Sequence, residues 1–336
     1  MFRSRRSCLI RRLWKRRGTD GQAERWPEDP EDKSAAYAVL KRLKEVHLEA
    51  LVRAVESRGA EPSDCVPVPA AEARPGRRTS SPHVLCCRLW RWPELGHSQQ
   101  LKRLACCRTG RDSTSVCCNP YHWSRICQPE SPPPPYGSCV RDGQRPPARA
   151  DESTPSDGGG GGGGRVWCYV AYWEQCTRVG RLYHVYKSSL DIFSQVARGE
   201  GLCLSTLAQN HTTSNDSVLK TRDKIGLGLT LTREDDEVWI YNRSEHSLFF
   251  NSPALDPPST RNLTVHKLPP GHSVKVFDYA QCGRGDDDDD DEGSSDGPVD
   301  PNAVRVSFAK GWGPRYSRRF VTSCPCWLEI LLSVDR

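Results

Sequence analysis

The 336-residue sequence contains no apolar run of the roughly 18 residues that a membrane-crossing helix needs, so we expect no membrane insertion. Its basic N-terminus also lacks the continuous apolar core of a secretory signal. Outside the secretory route, the 16 cysteines predict metal ligands and free thiols rather than a disulfide framework. For the same reason little weight attaches to the Asn-x-Ser/Thr sequons, which lie at Asn210, Asn215, Asn242 and Asn262.

Signals for catalysis are scarce as well. Gly226-x-Gly228 is not followed by the lysine and Ser/Thr that a phosphate loop requires. Cys117, His122 and an acid could form a nucleophile set, but no glycine-rich oxyanion elbow accompanies them. The sequence therefore predicts a binding protein rather than an enzyme.

Glycine and proline are most concentrated in one internal segment. Residues 129–164 contain a proline cluster and end in the seven glycines Gly158–Gly164. Such a composition buries too little apolar surface to fold, so we predict a disordered linker. The linker separates two domains, at 34–128 and 165–336. The second domain contains the acidic run Asp286–Glu292, which predicts a disordered loop at 283–297.

The N-terminal half is strongly basic. Residues 1–128 contain 25 Lys/Arg and 14 Asp/Glu, a net charge of +11, which suits nucleic acid or an anionic surface. The basic segment 1–17 fits nuclear import or nucleic-acid contact, and a mitochondrial presequence is the alternative. An acidic stretch, 20–32, follows, and we predict that residues 1–33 are disordered.

Two kinds of pattern predict secondary structure. From Ser34 to Arg58 apolar residues recur at helical spacing, which predicts one long helix or two abutting ones, with Ser34 as N-cap and Gly59 as the left-handed residue after the end. The run His83–Trp90 resembles a short strand. After residue 165, apolar runs separated by turn residues predict a β-sandwich; they begin at Trp167, Val238, Val274 and Val304.

Three groups of residues are candidates for binding. Cys117 and His122 have a spacing across a proline turn that suits one tetrahedral Zn²⁺, and spacing alone does not choose the remaining ligands among Cys65, Cys86, Cys87, Cys106 and Cys107. The motif formed by Pro133, Pro134 and Tyr136 fits the polyproline ligand of WW domains. Two basic clusters would suit a phosphorylated segment if folding joins them: Lys220, Arg222 and Lys224, and Lys310, Arg315, Arg318 and Arg319.

Several of these stretches resemble the Smad family. They are Cys87–Leu95 and the Cys-Asn-Pro-Tyr-His run ending at His122 in the first domain, and Ser307–Tyr316 and Ser323–Trp327 in the second. The sequence stops shortly after an apolar strand, without the serine motif that receptors phosphorylate in activating members. The resemblance is therefore to the inhibitory class, and to its Smad-six subtype more than to its Smad-seven subtype.

The resemblance implies an α+β fold with a small zinc-bound MH1-like α/β domain, a flexible linker and an MH2-like β-sandwich of the SMAD/FHA type with flanking helices. Carried over position by position, the family's ligands for a structural Zn²⁺ fall on Cys65, Cys107, Cys117 and His122, with Cys106 as the alternative to Cys107. Three thiolates and one imidazole complete a closed tetrahedral site.

The resemblance also implies an inhibitory adaptor, present in nucleus and cytoplasm, that antagonises TGF-β superfamily signalling, mainly its BMP branch. Its basic groove, formed by Lys220, Lys224, Lys310 and Arg318, would bind activated type I receptor kinases in competition with activating Smads. Other Smads are further expected partners, and Pro133, Pro134 and Tyr136 would recruit a WW-domain HECT ubiquitin ligase.

The alternative is a nuclear DNA-bound transcriptional repressor that acts through the zinc domain. The family reads DNA with a hairpin that corresponds here to Val66–Pro82, but this interval looks shorter and contains prolines that would disturb a ladder, Pro67, Pro69 and Pro75. Arg74, Arg77 and Arg78 could hold phosphates, so we expect at most weak sequence specificity.

Overall fold

The computed structural model describes residues 4–17, 30–69, 81–110, 114–127, 165–194, 201–256, 264–280 and 300–333. The predicted disordered linker, 129–164, and acidic loop, 283–297, lie outside the described residues. Among the residues that are described, no helix has both the length and the apolar character required to cross a bilayer.

The N-terminal domain is mainly helical, with two small pairs of strands. Its helices are α1 (Arg5–Lys15), α2 (Pro30–Arg42), α3 (Glu45–Glu56) and α4 (Pro82–Trp90). Its strands are β1 (Pro67–Pro69), β2 (Leu101–Arg103), β3 (Ser115–Cys117) and β4 (Trp123–Ile126). The helices enclose an apolar core that includes Leu13, Leu48, Leu51, Leu85 and Trp90.

Helix α1 differs from the prediction that residues 1–33 are disordered. Leu13 is buried in the core, and the Trp90 indole donates a hydrogen bond to the Leu13 carbonyl at 3.3 Å. Arg5 forms an ion pair with Glu45 of α3, with Nε and Oε1 3.1 Å apart. The basic segment forms an ordered helix because its apolar stripe packs on α3, whose carboxylates compensate part of its charge.

Helices α2 and α3 correspond to the helical pattern predicted from Ser34 to Arg58. The structure has two helices rather than one, and Ser34 lies inside α2 instead of capping it. Gly59 has the predicted left-handed backbone, with φ of 74°, and its N–H donates to the Ala54 carbonyl at 3.1 Å. The end of the pattern was therefore easier to predict than its beginning.

The run His83–Trp90, predicted as a strand, is helix α4. Eight of the nine residues of α4 are buried, so no polar face marks the helical period. A short apolar run without regularly spaced polar residues fits a buried strand and a buried helix equally well. Pro82 at the first turn fits the helix, because that position needs no N–H partner.

The C-terminal domain is the predicted β-sandwich. Its strands are β5 (Cys168–Glu174), β6 (Thr177–Val185), β7 (Ser189–Phe193), β8 (Leu202–Cys203), β9 (Leu229–Glu234), β10 (Glu237–Asn242), β11 (Leu248–Asn251), β12 (His266–Leu268), β13 (His272–Asp278), β14 (Ala303–Phe308) and β15 (Trp327–Leu332). Its helices are α5 (Leu204–Leu207) and α6 (Asp216–Ile225). One sheet has the order β12-β11-β14-β15-β5-β6, and the other β2-β4-β13-β10-β9-β7-β8.

The second sheet crosses from one domain to the other. Strand β4 runs parallel to β13, and the N–H groups of Arg125 and Cys127 donate to the carbonyls of Gly271 and Ser273 at 3.2 and 2.8 Å. Beside this pairing, the hydroxyls of Ser124 and Ser273 are 2.7 Å apart, and both residues are buried. The N-terminal domain thus adds strands β4 and β2 to the edge of the sandwich.

Side chains extend the contact between the domains. Lys102 Nζ lies 2.6 Å from Glu234 Oε2 and 4.1 Å from the centre of the Trp239 ring. Arg91 donates to the Tyr241 hydroxyl at 3.2 Å. No pattern in the sequence predicted that the two domains touch.

Candidate metal centre and anion-binding surface

Three cysteines and a histidine converge in the N-terminal domain. The ligand atoms of Cys65, Cys107, Cys117 and His122 all lie within 4.8 Å of one another. Cys65 and Cys117 each place Sγ 3.5 Å from His122 Nδ1, and the sulfurs of Cys65 and Cys107 are 3.9 Å apart. In the part of the chain that the structure describes, no other His, Cys, Asp and Glu side chains form such a group.

Local structure explains why these side chains meet. Strand β1 pairs with β3 so that Pro67 lies opposite Cys117, which brings Cys65, two residues earlier, close to it. His122 ends a single helical turn that begins at Pro120 and is capped by Asn119, whose Oδ1 accepts from the Tyr121 N–H at 3.0 Å. The turn therefore directs the imidazole back toward Cys117.

The chemistry of this group fits Zn²⁺. His122 Nε2 lies 3.0 Å from the Ser63 carbonyl, which orients the ring so that Nδ1 faces the sulfurs. The N–H groups of Val66 and Arg108 point at the sulfurs of Cys117 and Cys65, at 3.4 and 3.2 Å, as suits thiolates. The hydrogen bond between Cys107 and Cys117 lowers the pKa of Cys107 and raises that of Cys117.

The other candidate cysteines lie elsewhere. Cys106 is exposed and is not among the converging side chains. Cys86 and Cys87 are buried on α4, where a hydrogen bond with Cys118 raises the pKa of Cys86 and burial raises that of Cys87. Neutral, buried thiols of this kind behave as apolar side chains.

The first basic segment of the predicted groove is helix α6, which presents Lys220 and Lys224. Asn215 caps the helix, and its Oδ1 accepts from the Ser217 N–H at 2.9 Å. Lys220 is largely exposed and pairs with Asp216 at 2.5 Å. An ion pair this exposed contributes little to stability, so Lys220 remains available to a stronger anionic partner.

The second basic segment is the loop after β14, which contains Lys310 and Arg318. Gly313 has a φ of 95°, and its N–H donates to the Arg318 carbonyl at 2.8 Å. A Cβ at Gly311 would lie 2.5 Å from the Tyr316 ring, so the loop requires glycine there. Trp312 is buried against Cys324 and Trp327 and anchors the loop.

A chain of hydrogen bonds joins the two basic segments. The Asn215 amide at the start of α6 donates to Gln175 Oε1 at 3.1 Å. The Gln175 N–H donates to the Cys324 carbonyl at 3.2 Å, and Cys324 Sγ donates to the Lys310 carbonyl at 3.7 Å. The two elements that contain Lys220, Lys224, Lys310 and Arg318 are therefore linked by hydrogen bonds.

Arg222 has a different role from the one its sequence neighbours suggest. It points inward and donates to both carboxylate oxygens of Glu174, at 2.6 and 2.7 Å. Glu174 is buried and also accepts from the Tyr172 hydroxyl at 2.9 Å, with His211 Nε2 at 3.4 Å. This buried pair fixes α6 on the sandwich. The one hint in the sequence is an isolated acid at the end of an apolar strand.

Two adjacent cysteines, Cys107 inside the metal group and Cys106 outside it, give a matched test. Cys107→Ser should abolish stoichiometric zinc binding, because it removes one of four convergent ligands, whereas Cys106→Ser should retain it. Zinc content and helicity by circular dichroism should change together in the first variant alone. The ligand assignment would be wrong if Cys106→Ser lost zinc and Cys107→Ser kept it.

The Glu174–Arg222 pair predicts a coupled effect on stability. Glu174→Gln should lower the free energy of unfolding by about 3 kcal/mol, because it leaves the Arg222 charge without its partner. The double variant Glu174→Gln/Arg222→Gln should be less destabilised than the single one. Denaturant unfolding measures the free energy of unfolding of each variant. If the loss in the double variant equals the sum of the losses in the two single variants, the coupling is contradicted.

Comparison with known proteins gives the family. Residues 32–127 match the MH1 domain and residues 165–333 the MH2 domain. "Mothers against decapentaplegic homolog 6" of Gallus gallus is 48% identical over 328 residues, which cover 90% of this chain and 75% of that protein. "Mothers against decapentaplegic homolog 7" of Homo sapiens is 41% identical over 338 residues, which cover 90% and 78%.

Among solved structures, the IAD domain of interferon regulatory factor 9 matches half of this chain and 82% of its own, at 13% identity and a TM-score of 0.33, which is too weak to support a fold assignment. The two domain matches and the two relatives are sufficient to assign the family. Proteins with this pair of domains are signalling adaptors or transcription regulators, as expected from the lack of catalytic motifs. The chain belongs to the Smad family, in its inhibitory class.

Proposed function

We propose that this chain is an inhibitory adaptor that antagonises TGF-β superfamily signalling, mainly its BMP branch, by binding phosphorylated type I receptors in place of activating Smads. Its inhibitory-class relatives support the signalling role. The receptor step is supported by one observation, the hydrogen bonds that link α6, which contains Lys220 and Lys224, to the loop of Lys310 and Arg318.

The chemistry of the groove suits a segment with more than one phosphate. Each phosphate carries a charge of about −1.5 to −2 and offers three acceptor oxygens, so several cations are needed to bind a cluster. The arginine at 318 can bond two oxygens at once, and the lysines act as point charges. Trp312 and the flanking glycines hold the loop of Lys310 and Arg318 in place, which reduces the entropy lost on binding.

In the N-terminal domain, we propose that Cys65, Cys107, Cys117 and His122 hold a structural Zn²⁺. When bound, the metal would supply a cross-link among the loops that precede β1, follow β2 and follow β3. Because four protein ligands complete a tetrahedron, no position is left for a substrate. The proposed role is therefore stability of the fold.

Other proposed partners rest on sequence alone. Pro133, Pro134 and Tyr136 lie outside the described residues, and their motif supports recruitment of a WW-domain HECT ubiquitin ligase to the receptor. Family membership supports pairing with other Smads and a distribution between nucleus and cytoplasm.

The alternative of a DNA-bound repressor gains nothing from the described residues. Arg74, Arg77 and Arg78 lie outside them. Pro67 and Pro69 do lie in strand β1, contrary to the expectation that they would disturb a ladder, and Val68 between them pairs with Val116. That pairing places Cys65 near Cys117 of the metal group.

Two reciprocal variants test the proposal in full-length protein. Lys310→Glu/Arg318→Glu should abolish binding to a phosphorylated type I receptor cytoplasmic domain and leave WW-domain binding intact. Tyr136→Ala should do the opposite. A charge-matched control, Arg178→Glu/Arg181→Glu on exposed positions of β6, should bind both partners.

The readout is affinity for phosphorylated and unphosphorylated receptor, measured by titration. The receptor step is supported if binding requires phosphate and if the groove variant has an affinity at least about 10-fold lower. Equal affinity for both receptor forms, or an equal loss in the β6 control, would refute it.

A further inference from the structure

A cleft of about 630 Å³ lies between the two domains, away from the basic groove. One wall comes from the N-terminal domain, from the end of α3 and the loops before β1 and after β2. The other wall comes from β7, β9 and β10, and includes the rings of Trp239 and Tyr241. Clefts of this volume are typical of small-molecule sites.

The cleft carries an excess of positive charge. Four carboxylates line it, together with six cations, namely Arg53, Arg58, Lys102, Arg103, Arg108 and Arg243. Two of the carboxylates are already engaged, since Glu234 pairs with Lys102 at 2.6 Å and Asp191 with Arg243 at 2.7 Å. The lining is therefore basic even after these pairs are formed.

Two of the arginines have no anionic partner. Within the described ranges, the side chains of Arg53 and Arg108 form no ion pair or hydrogen bond, although both residues line the cleft. Arg103 has its guanidinium 5.4 Å from the Trp123 ring centre and donates to the Thr109 carbonyl, which holds it in place. Planar guanidinium groups match phosphate oxygens in pairs.

The two walls are fixed relative to each other by main-chain hydrogen bonds. The pairing of β4 with β13 and the buried contact of Ser124 with Ser273 set the spacing of the cleft. Walls held at a fixed spacing reduce the entropy that is lost when a polyanion binds, although the free side chains of Arg53 and Arg108 still become ordered. A compact ligand with several phosphates would meet charge from both domains at once.

We propose that this cleft binds a small, multiply phosphorylated ligand of the inositol phosphate class. The site is separate from the receptor groove, and the proposal does not depend on receptor binding. The phosphates would bond Arg53 and Arg108 on one wall and compete with Asp191 for Arg243 on the other. The rings of Trp239 and Tyr241 would contribute apolar surface to the second wall.

Calorimetric titration of the zinc-loaded full chain with inositol hexakisphosphate, at physiological salt, tests the site. Arg53→Glu/Arg108→Glu should weaken binding by about tenfold or more, because two phosphate contacts become repulsive. Arg11→Glu/Lys15→Glu makes the same change in net charge on the exposed face of α1 and should alter affinity by less than about twofold. Equal losses in both variants would overturn the proposal.

A neutral variant tests the second wall. Arg243→Gln/Asp191→Asn removes an ion pair without changing net charge, so weaker binding would show direct contact with Arg243, and unchanged binding would overturn a site shared by both domains. Zinc content and unfolding midpoint are recorded for each variant. If reversal at Arg108 disturbs the metal, Arg53→Glu alone replaces the double variant.

The source of the phosphates is distinguished by vesicles. Phosphoinositide vesicles that recruit the chain, and release it when inositol hexakisphosphate is added, would indicate a lipid headgroup as ligand. Binding of the soluble compound without recruitment would indicate a free inositol phosphate. The proposal fails if neither binds, or if duplex DNA displaces the compound and binds the Arg53→Glu/Arg108→Glu variant equally well.

Discussion

Two main-chain hydrogen bonds between β4 and β13 determine how the halves of this protein are arranged. Backbone groups at a sheet edge need partners, and an edge that is paired is closed to other chains. The bonds from Arg125 and Cys127 satisfy part of this edge. The buried Ser273 hydroxyl donates to the Ser124 hydroxyl, which in turn donates to the Lys102 carbonyl. A buried hydroxyl without a partner would cost about 1–3 kcal/mol, so separation of the domains requires that water reach both serines.

This contact links the proposed metal centre to the sandwich. Strand β4 begins at Trp123, directly after His122, so the residue that would bind zinc also fixes the start of the strand. A bound Zn²⁺ would therefore act beyond its own domain, because His122 immediately precedes β4. The proposed basic groove would depend instead on Glu174, Arg222 and the bonds through Gln175, which involve the other sheet and α6. The two proposed binding sites are therefore held by separate sets of interactions.

The sequence predicted the parts of the fold that have a periodic or spaced pattern. Alternating apolar runs with turn residues identified the sandwich, and family resemblance named the four side chains that converge, although spacing alone did not choose among the cysteines. It did not predict α4, whose residues are buried on nearly all sides, or α1, whose basic residues concealed the stripe that contains Leu13. Arg222 lies in the same basic cluster of the sequence as Lys220 and Lys224, but the structure pairs it with Glu174, a contact over 48 positions that no local pattern predicts. The contacts between the domains could not be predicted for the same reason. Ser124 and Ser273 are 149 positions apart, and no pattern in the sequence connects them.

The most direct test of this arrangement is amide hydrogen exchange in the zinc-loaded full chain. The amides of Arg125 and Cys127 point at β13, so they report on the contact itself. If β4 and β13 are paired in solution, these amides should exchange as slowly as those inside β13, such as Val274 and Val276. Exchange of both amides at the rate of exposed loops, with β13 still protected, would contradict the shared sheet and the cleft that depends on it.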